Sequence, residues 1–113
     1  MTAAPVELRA APALVAALPG LAAGRSLAID HFASRRCGVT VGDLRLRWSD
    51  SPTADQTPLE PVAGVAVVAE PALLGVLSTG GSLVQRRRGR LEIELDHPEA
   101  WLEFLDEHPA RRR

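Results

Sequence analysis

Apolar residues alternate with polar ones through most of this chain and take helical spacing in only three short stretches. Leu27, Ile29 and His31 interleave with Ala28, Asp30 and Phe32, the period-two pattern of a strand whose side chains point to opposite faces in turn. Neither set is purely polar, so this strand is expected to be covered on both sides. Ser34 to Gly38 reads as a turn or loop. Beyond it, Val39 and Val41 hold one parity while Leu44, Leu46 and Trp48 hold the other. A bulge at Gly42-Asp43 would absorb that slip and bring both sets to the core face, leaving Arg45 and Arg47 in solvent. The two runs make a hairpin.

The remaining segments extend the picture. Val6–Leu8 is a short strand candidate, Ser49–Pro58 a polar loop, Leu59–Val62 at most an edge segment, and Val65–Val68 a buried-type strand. Leu83–Arg86 and Arg90–Leu95 form a second hairpin around Arg87-Arg88-Gly89, with Leu91, Ile93 and Leu95 inward and Glu92, Glu94 and Asp96 outward. Three helices are expected. One opens at Pro12 and is stopped by Pro19-Gly20 after Leu18; one runs over Pro71–Leu77 and ends before Gly80-Gly81; one starts at Asp96-His97-Pro98. The last places Trp101, Leu102 and Leu105 on one stripe, with Phe104 beside it. Residues 1–5 and 109–113 are expected to be loose tails of a single domain. The fold class that follows is α+β: two small mixed or antiparallel sheets built from hairpins, with about three short helices.

Composition narrows the function more than the fold. At 113 residues, 46% hydrophobic and 24% charged, the chain has the balance of an ordinary globular protein. A net charge of −1 argues against a chain-wide polyanion binder. All 13 basic residues are arginine, with 14 acids to pair with. The single cysteine excludes an internal disulfide and suits a reducing compartment. No apolar run approaches the ~18 residues of a membrane span, and the N-terminus lacks the pattern of a secretory leader. The expectation is a cytoplasmic protein with no membrane partner.

Candidate chemistry centres on Cys37. Arg35 and Arg36 precede it, and two guanidiniums close to a thiol favour the thiolate, the form that attacks or ligates. A free cysteine can equally serve as a small inert hydrophobe. His31 is the one histidine expected near Cys37; together they are candidate metal ligands, and a symmetric dimer could bring two copies of each together. No paired spacing of the zinc-site kind supports this. His97 reads as a helix-start residue and His108 as a helix-end residue favoured by the macrodipole. Arg86, Arg87, Arg88 and Arg90 make the densest basic patch, able in principle to contact phosphates. Glu92 and Glu94 on the following strand are placed to neutralise it, and aromatic residues are scarce, so nucleic acid is not the expected partner. No catalytic residue is assigned, because no acid–base pair, nucleophile elbow or phosphate loop is present.

Three segments carry a family likeness: Cys37-Gly38 after the first long strand, Gly64-Val65-Ala66-Val67-Val68, and Leu91-Glu92-Ile93-Glu94-Leu95-Asp96-His97-Pro98. In this order, with the helices between them, the layout resembles the HesB-like family of iron–sulfur assembly carriers over nearly the whole chain. Cluster-carrying members of that family have one cysteine in the first hairpin and a Cys-x-Cys pair after the final strand and proline. Cys37 matches the first; the second falls where this chain has Glu99–His108 and no cysteine. The resemblance therefore implies a fold relative without the usual cluster site, non-enzymatic and acting by protein contact, as a homodimer or with another protein. The alternatives are a carrier of iron or an iron–sulfur cluster using Cys37 across a dimer, and a thiol-based redox protein using Cys37.

Overall fold

The computed structural model describes residues 6–108, so both expected tails lie outside the described residues. In chain order its elements are β1 (Leu8–Ala10), α1 (Pro12–Val15), α2 (Leu18–Ala22), β2 (Ser26–Arg36), β3 (Val39–Ser49), β4 (Thr57–Val62), β5 (Val65–Ala69), α3 (Leu74–Leu77), β6 (Gly81–Gln85), β7 (Leu91–Leu95) and α4 (Pro98–Glu107), with 3-10 turns at Pro71–Leu73 and Arg87–Gly89. One sheet has the order β3-β2-β5-β4 and the other β1-β6-β7. Both are mixed: β2 runs parallel to β5 and β1 parallel to β6, while the hairpin pairs are antiparallel. No helical crossover joins the parallel pair in the larger sheet, because β2 reaches β5 through β3 and β4, which flank it. The fold is α+β, as the alternation pattern implies.

The core is aliphatic. Leu27 and Ile29 of β2, Val65 and Val67 of β5, Leu83 of β6 and Leu14 and Leu18 of the first helices meet Leu73, Leu77 and Phe104 there. No polar or charged side chain is buried among the described residues, so hydrophobic burial carries the packing. The expected segment Leu59–Val62 belongs to β4, which forms the outer edge of its sheet, where its two prolines, Pro58 and Pro61, are tolerated.

Four local expectations change. First, β2 and β3 pair without interruption from Ser26 opposite Ser49 to Arg36 opposite Val39. Ser34–Arg36 are therefore strand, and the connection is the two residues Cys37-Gly38. Both have positive φ, 52° and 78°, the type I′ geometry whose twist matches that of the strands it joins. Second, there is no bulge at Gly42. The turn sets the register, so Val39 and Val41 share the outer face with Arg45 and Arg47 and stay exposed. Gly42 serves close approach instead: a Cβ there would strike the Phe32 carbonyl oxygen and lie 3.1 Å from Ala33 Cα.

Third, Pro19 does not stop a helix but sits in the first turn of a new one. The expected Pro12–Leu18 helix divides into α1 and α2, since a proline's missing N–H is harmless at a helix start. Arg25 closes α2, its Nε donating to the Ala22 carbonyl at 3.0 Å and Nη2 to that of Leu21 at 3.1 Å. The described residues accordingly hold four short α-helices rather than three. Fourth, the buried residues of α4 are Phe104 and Leu105, with Trp101 partly buried one turn before them. Leu102 points to solvent.

Candidate functional site

The longest strands place the candidate residues far apart. β5 pairs with β2 only at Leu27–Ile29, so the distal part of β2 has β3 as its sole strand partner. At their base the two strands are pinned: Asp30 accepts from Arg45 Nε at 2.9 Å and pairs with Arg47 Nη2 at 3.3 Å. These charges share the outer face with Ala28, opposite Arg47. Midway, α4 lies against the inner face, and Trp101 Nε1 donates to the Gly42 carbonyl at 3.4 Å. Past Gly42 the hairpin continues as an arm whose end carries Arg35, Arg36, Cys37 and Gly38, all exposed. Arg35 Nη2 reaches the Gly38 carbonyl at 3.5 Å. Neither Arg35 nor Arg36 makes an ion pair with another described residue.

The outer face of this arm is apolar. Phe32, Val39 and Val41 are 53%, 61% and 41% exposed, three of the five large hydrophobic residues the described chain leaves in solvent. Sequence reasoning assigned the valines to the core by invoking a bulge. The signal that places them correctly is their shared parity with Arg45 and Arg47 in an unbroken register.

His31 is not beside Cys37. They lie six steps apart along an extended strand, about 20 Å at ~3.3 Å per residue, because the turn lies at Cys37-Gly38 and not between the two. His31 belongs to a different cluster. Its Nδ1 meets Glu70 Oε2 at 2.5 Å, and its ring stands edge-on to Phe104, with centroids 4.9 Å apart, and to Trp101 at 6.1 Å. Phe104 stacks in turn on Trp101 at 5.2 Å and on His108 at 4.2 Å. The histidine thus ties β2 to the segment after β5 and to α4, an organising role. Glu70, which sequence reasoning missed, is its partner. No group of three or more His, Cys, Asp or Glu side chains among the described residues could hold a metal ion.

The basic patch of the second hairpin is half neutralised, with Glu92 and Glu94 pairing two of its four arginines. Arg86 meets Glu92 at 3.1 Å and Glu94 at 3.0 Å, and Arg90 meets Glu92 at 2.8 Å. The Arg86 hydrogen bond, with Arg90 adding to it, holds the Glu92 carboxyl below the usual carboxylate range. Arg87 and Arg88, at the turn, make no ion pair among the described residues. Two grooves flank α4. One, of about 230 Å³, lies beside Leu44, Ile93, Pro98 and Trp101. The other, of about 260 Å³, lies between α3 and α4 and is lined by Ala72, Gly75, Ala100, Phe104, Glu103 and Glu107 among others.

Fold and surface together define a small two-sheet α+β domain with a protruding, partly apolar hairpin. No family model matches the chain, and no match is found among curated proteins. No helix among the described residues is long and apolar enough to cross a membrane.

Proposed function

We propose that this chain is a non-enzymatic, cytoplasmic protein-contact domain, HesB-like in layout but without the usual cluster site, whose contact element is the β2–β3 arm. The observation that carries this reading is the outer face of the arm. A strand pair that extends past its sheet while exposing Phe32, Val39 and Val41 leaves apolar surface in water without return unless a partner covers it. Arg36 on that face, and Arg35 at the adjoining turn, supply charge for orientation, and interface cores favour such a mix of aromatic, aliphatic and arginine side chains. The HesB-like likeness rests on the order of elements and on Cys37 in the first hairpin. The chain's single thiol leaves the family's second cysteine pair unfilled.

A photo-crosslinking residue at Val39 tests this, with one at exposed Val15 as the control. A discrete adduct of defined mass from Val39 and none from Val15 is expected. Equal or absent adducts at both positions would overturn the reading.

One observation favours a second reading, a carrier or redox role for Cys37: the thiol is fully presented on a turn whose φ of 52° suits Asn or Gly better than Cys. Reconstitution with iron and sulfide, with Cys37→Ser in parallel, decides it. A cysteine-dependent visible chromophore would establish the carrier role; a colourless protein of unchanged thiol content leaves contact alone. For the redox role, the rate of thiol alkylation against pH is the measurement, and a thiolate formed well below pH 8 would support it.

A further inference from the structure

Charge is distributed unevenly over the surface. Most arginines of the body are engaged: Arg9 with Asp96, Arg45 and Arg47 with Asp30, Arg86 and Arg90 with Glu92, and Arg25 with the α2 carbonyls and the Trp48 ring. Arg87 and Arg88 at the β6–β7 turn, and Arg35 and Arg36 of the arm, are left without an acidic partner among the described residues; of these, the arm's pair alone adjoins an exposed apolar face. The opposite imbalance sits on α4. Glu103, Asp106 and Glu107 are exposed and make no ion pair among the described residues, and Leu102 beside them is 63% exposed. Glu103 and Glu107 border the α3–α4 groove, whose floor is built of the small side chains Ala72, Gly75 and Ala100.

These two surfaces suit each other and cannot meet within one molecule. α4 packs on the inner face of the arm, through Trp101 to Gly42 and through Phe104 to His31, whereas Phe32, Val39 and Val41 occupy the outer face. We infer that the partner of the arm is a second copy of this chain: its α3–α4 groove receives the Val39–Val41 edge, with Arg36 of that face and Arg35 at the turn set against Glu103 and Glu107. The inference rests on the contact reading above and names the partner for it. The contact joins two different patches, so it is heterologous: each copy offers one arm and one groove, and association proceeds head to tail into a ring or a chain. A tip in a shallow groove buries less than a standard interface, which makes this a weak, reversible association that salt weakens further.

Sedimentation velocity across the micromolar range, at low and high salt, is the experiment. The wild-type chain is expected to associate with rising concentration and to dissociate as salt rises. Arg35→Glu with Arg36→Glu, and separately Glu103→Arg with Glu107→Arg, are each expected to weaken association about a hundredfold, since each sets like charges together. All four positions are exposed, and circular dichroism confirms that the variants fold. The decisive sample mixes the two variants. In the mixture each variant's arm again faces a groove of opposite charge, so a heterologous contact restores, between the two variants, the head-to-tail association that neither shows alone.

A monomeric wild type at all concentrations overturns the inference, as does association unchanged in the groove variant, or a mixture that stays apart. The contact reading fails separately. If Val39 crosslinks a different protein while the wild type remains monomeric, the arm is a contact element and the second copy is not its partner.

Discussion

Gly42 is the position at which the hairpin's geometry makes its sharpest claim. It faces Ala33 in the β2–β3 register, and its Cβ position is occupied by backbone: the Phe32 carbonyl oxygen, with Ala33 Cα at 3.1 Å and Ala33 Cβ at 3.2 Å. A flexible side chain could swing aside, but a carbonyl in a paired strand can move only if the strands part. Gly42→Ala therefore forces β2 and β3 to separate locally and disturbs the bond from Trp101 Nε1 to the Gly42 carbonyl. Overpacking of this kind costs about 1–3 kcal/mol, against which replacing a strand glycine by alanine returns about 0.5–1 kcal/mol. From the middle of each range, the net expectation is a loss of about 1 kcal/mol, or roughly 4–8 °C in Tm for a chain of this size. Gly20 is the internal control. It lies inside α2 with nothing within 4 Å of a built Cβ, so Gly20→Ala should stabilise by about 0.5–1 kcal/mol through helix propensity. Urea titrations of the three proteins, with equal m-values, give the comparison. The reasoning is refuted if Gly42→Ala is as stable as the parent, or if both substitutions move stability the same way.

Three further outcomes are expected. Phe104→Ala should cost about 3–5 kcal/mol, because Phe104 is buried and joins Trp101, His31 and His108; loss of the near-ultraviolet tryptophan dichroism before the far-ultraviolet signal would show α4 detaching first. Arg9 holds the Asp96 carboxyl below its usual range, chiefly by their hydrogen bond. A depressed carboxyl contributes stability above the unfolded pKa, about 3.9 for aspartate, and loses it as pH falls through the lower folded value. Arg9→Met should thus be less stable than the parent near neutrality and converge on it in acid, and parallel curves of midpoint against pH would contradict the pairing. Cys37→Asn should raise stability by about 1 kcal/mol, since asparagine tolerates the left-handed backbone that costs other residues about 1–2 kcal/mol; a lower urea midpoint would show that the thiol makes contacts the turn geometry does not reveal.

Much of the fold was legible because local pattern and global packing agree. The alternation of Leu91, Ile93 and Leu95 with Glu92 and Glu94 needs only to know which side is wet. What escaped depended on information outside the local window. Pro19 is compatible with a helix end or a helix start, and here it follows Leu18, which is fully buried as the first residue of α2. Leu102 and Phe104 are both plausible core residues on a helical wheel. The aromatic neighbours His31 and Trp101 select Phe104, and rotating α4 to bury it turns Leu102 out.

The candidate site shows the same division at higher stakes. The error over Val39 and Val41 came from assuming that valine must be buried and inserting a bulge to bury it. The turn decides otherwise. Cys37 and Gly38 together supply the two positive φ angles of a two-residue connection, and once those are fixed, every side chain on β3 is assigned to a face without freedom to slip. That one constraint separates His31 from Cys37, exposes the arm's apolar face and aligns Arg36 with Val39 at its tip. An asparagine at position 37 would make the same turn with less strain, so the turn alone does not explain the cysteine. The register explains the valines and the separation of His31 from Cys37. What selects a thiol at the exposed tip of the arm is then a property of whatever meets that tip, which is where partner and thiol chemistry become a single question.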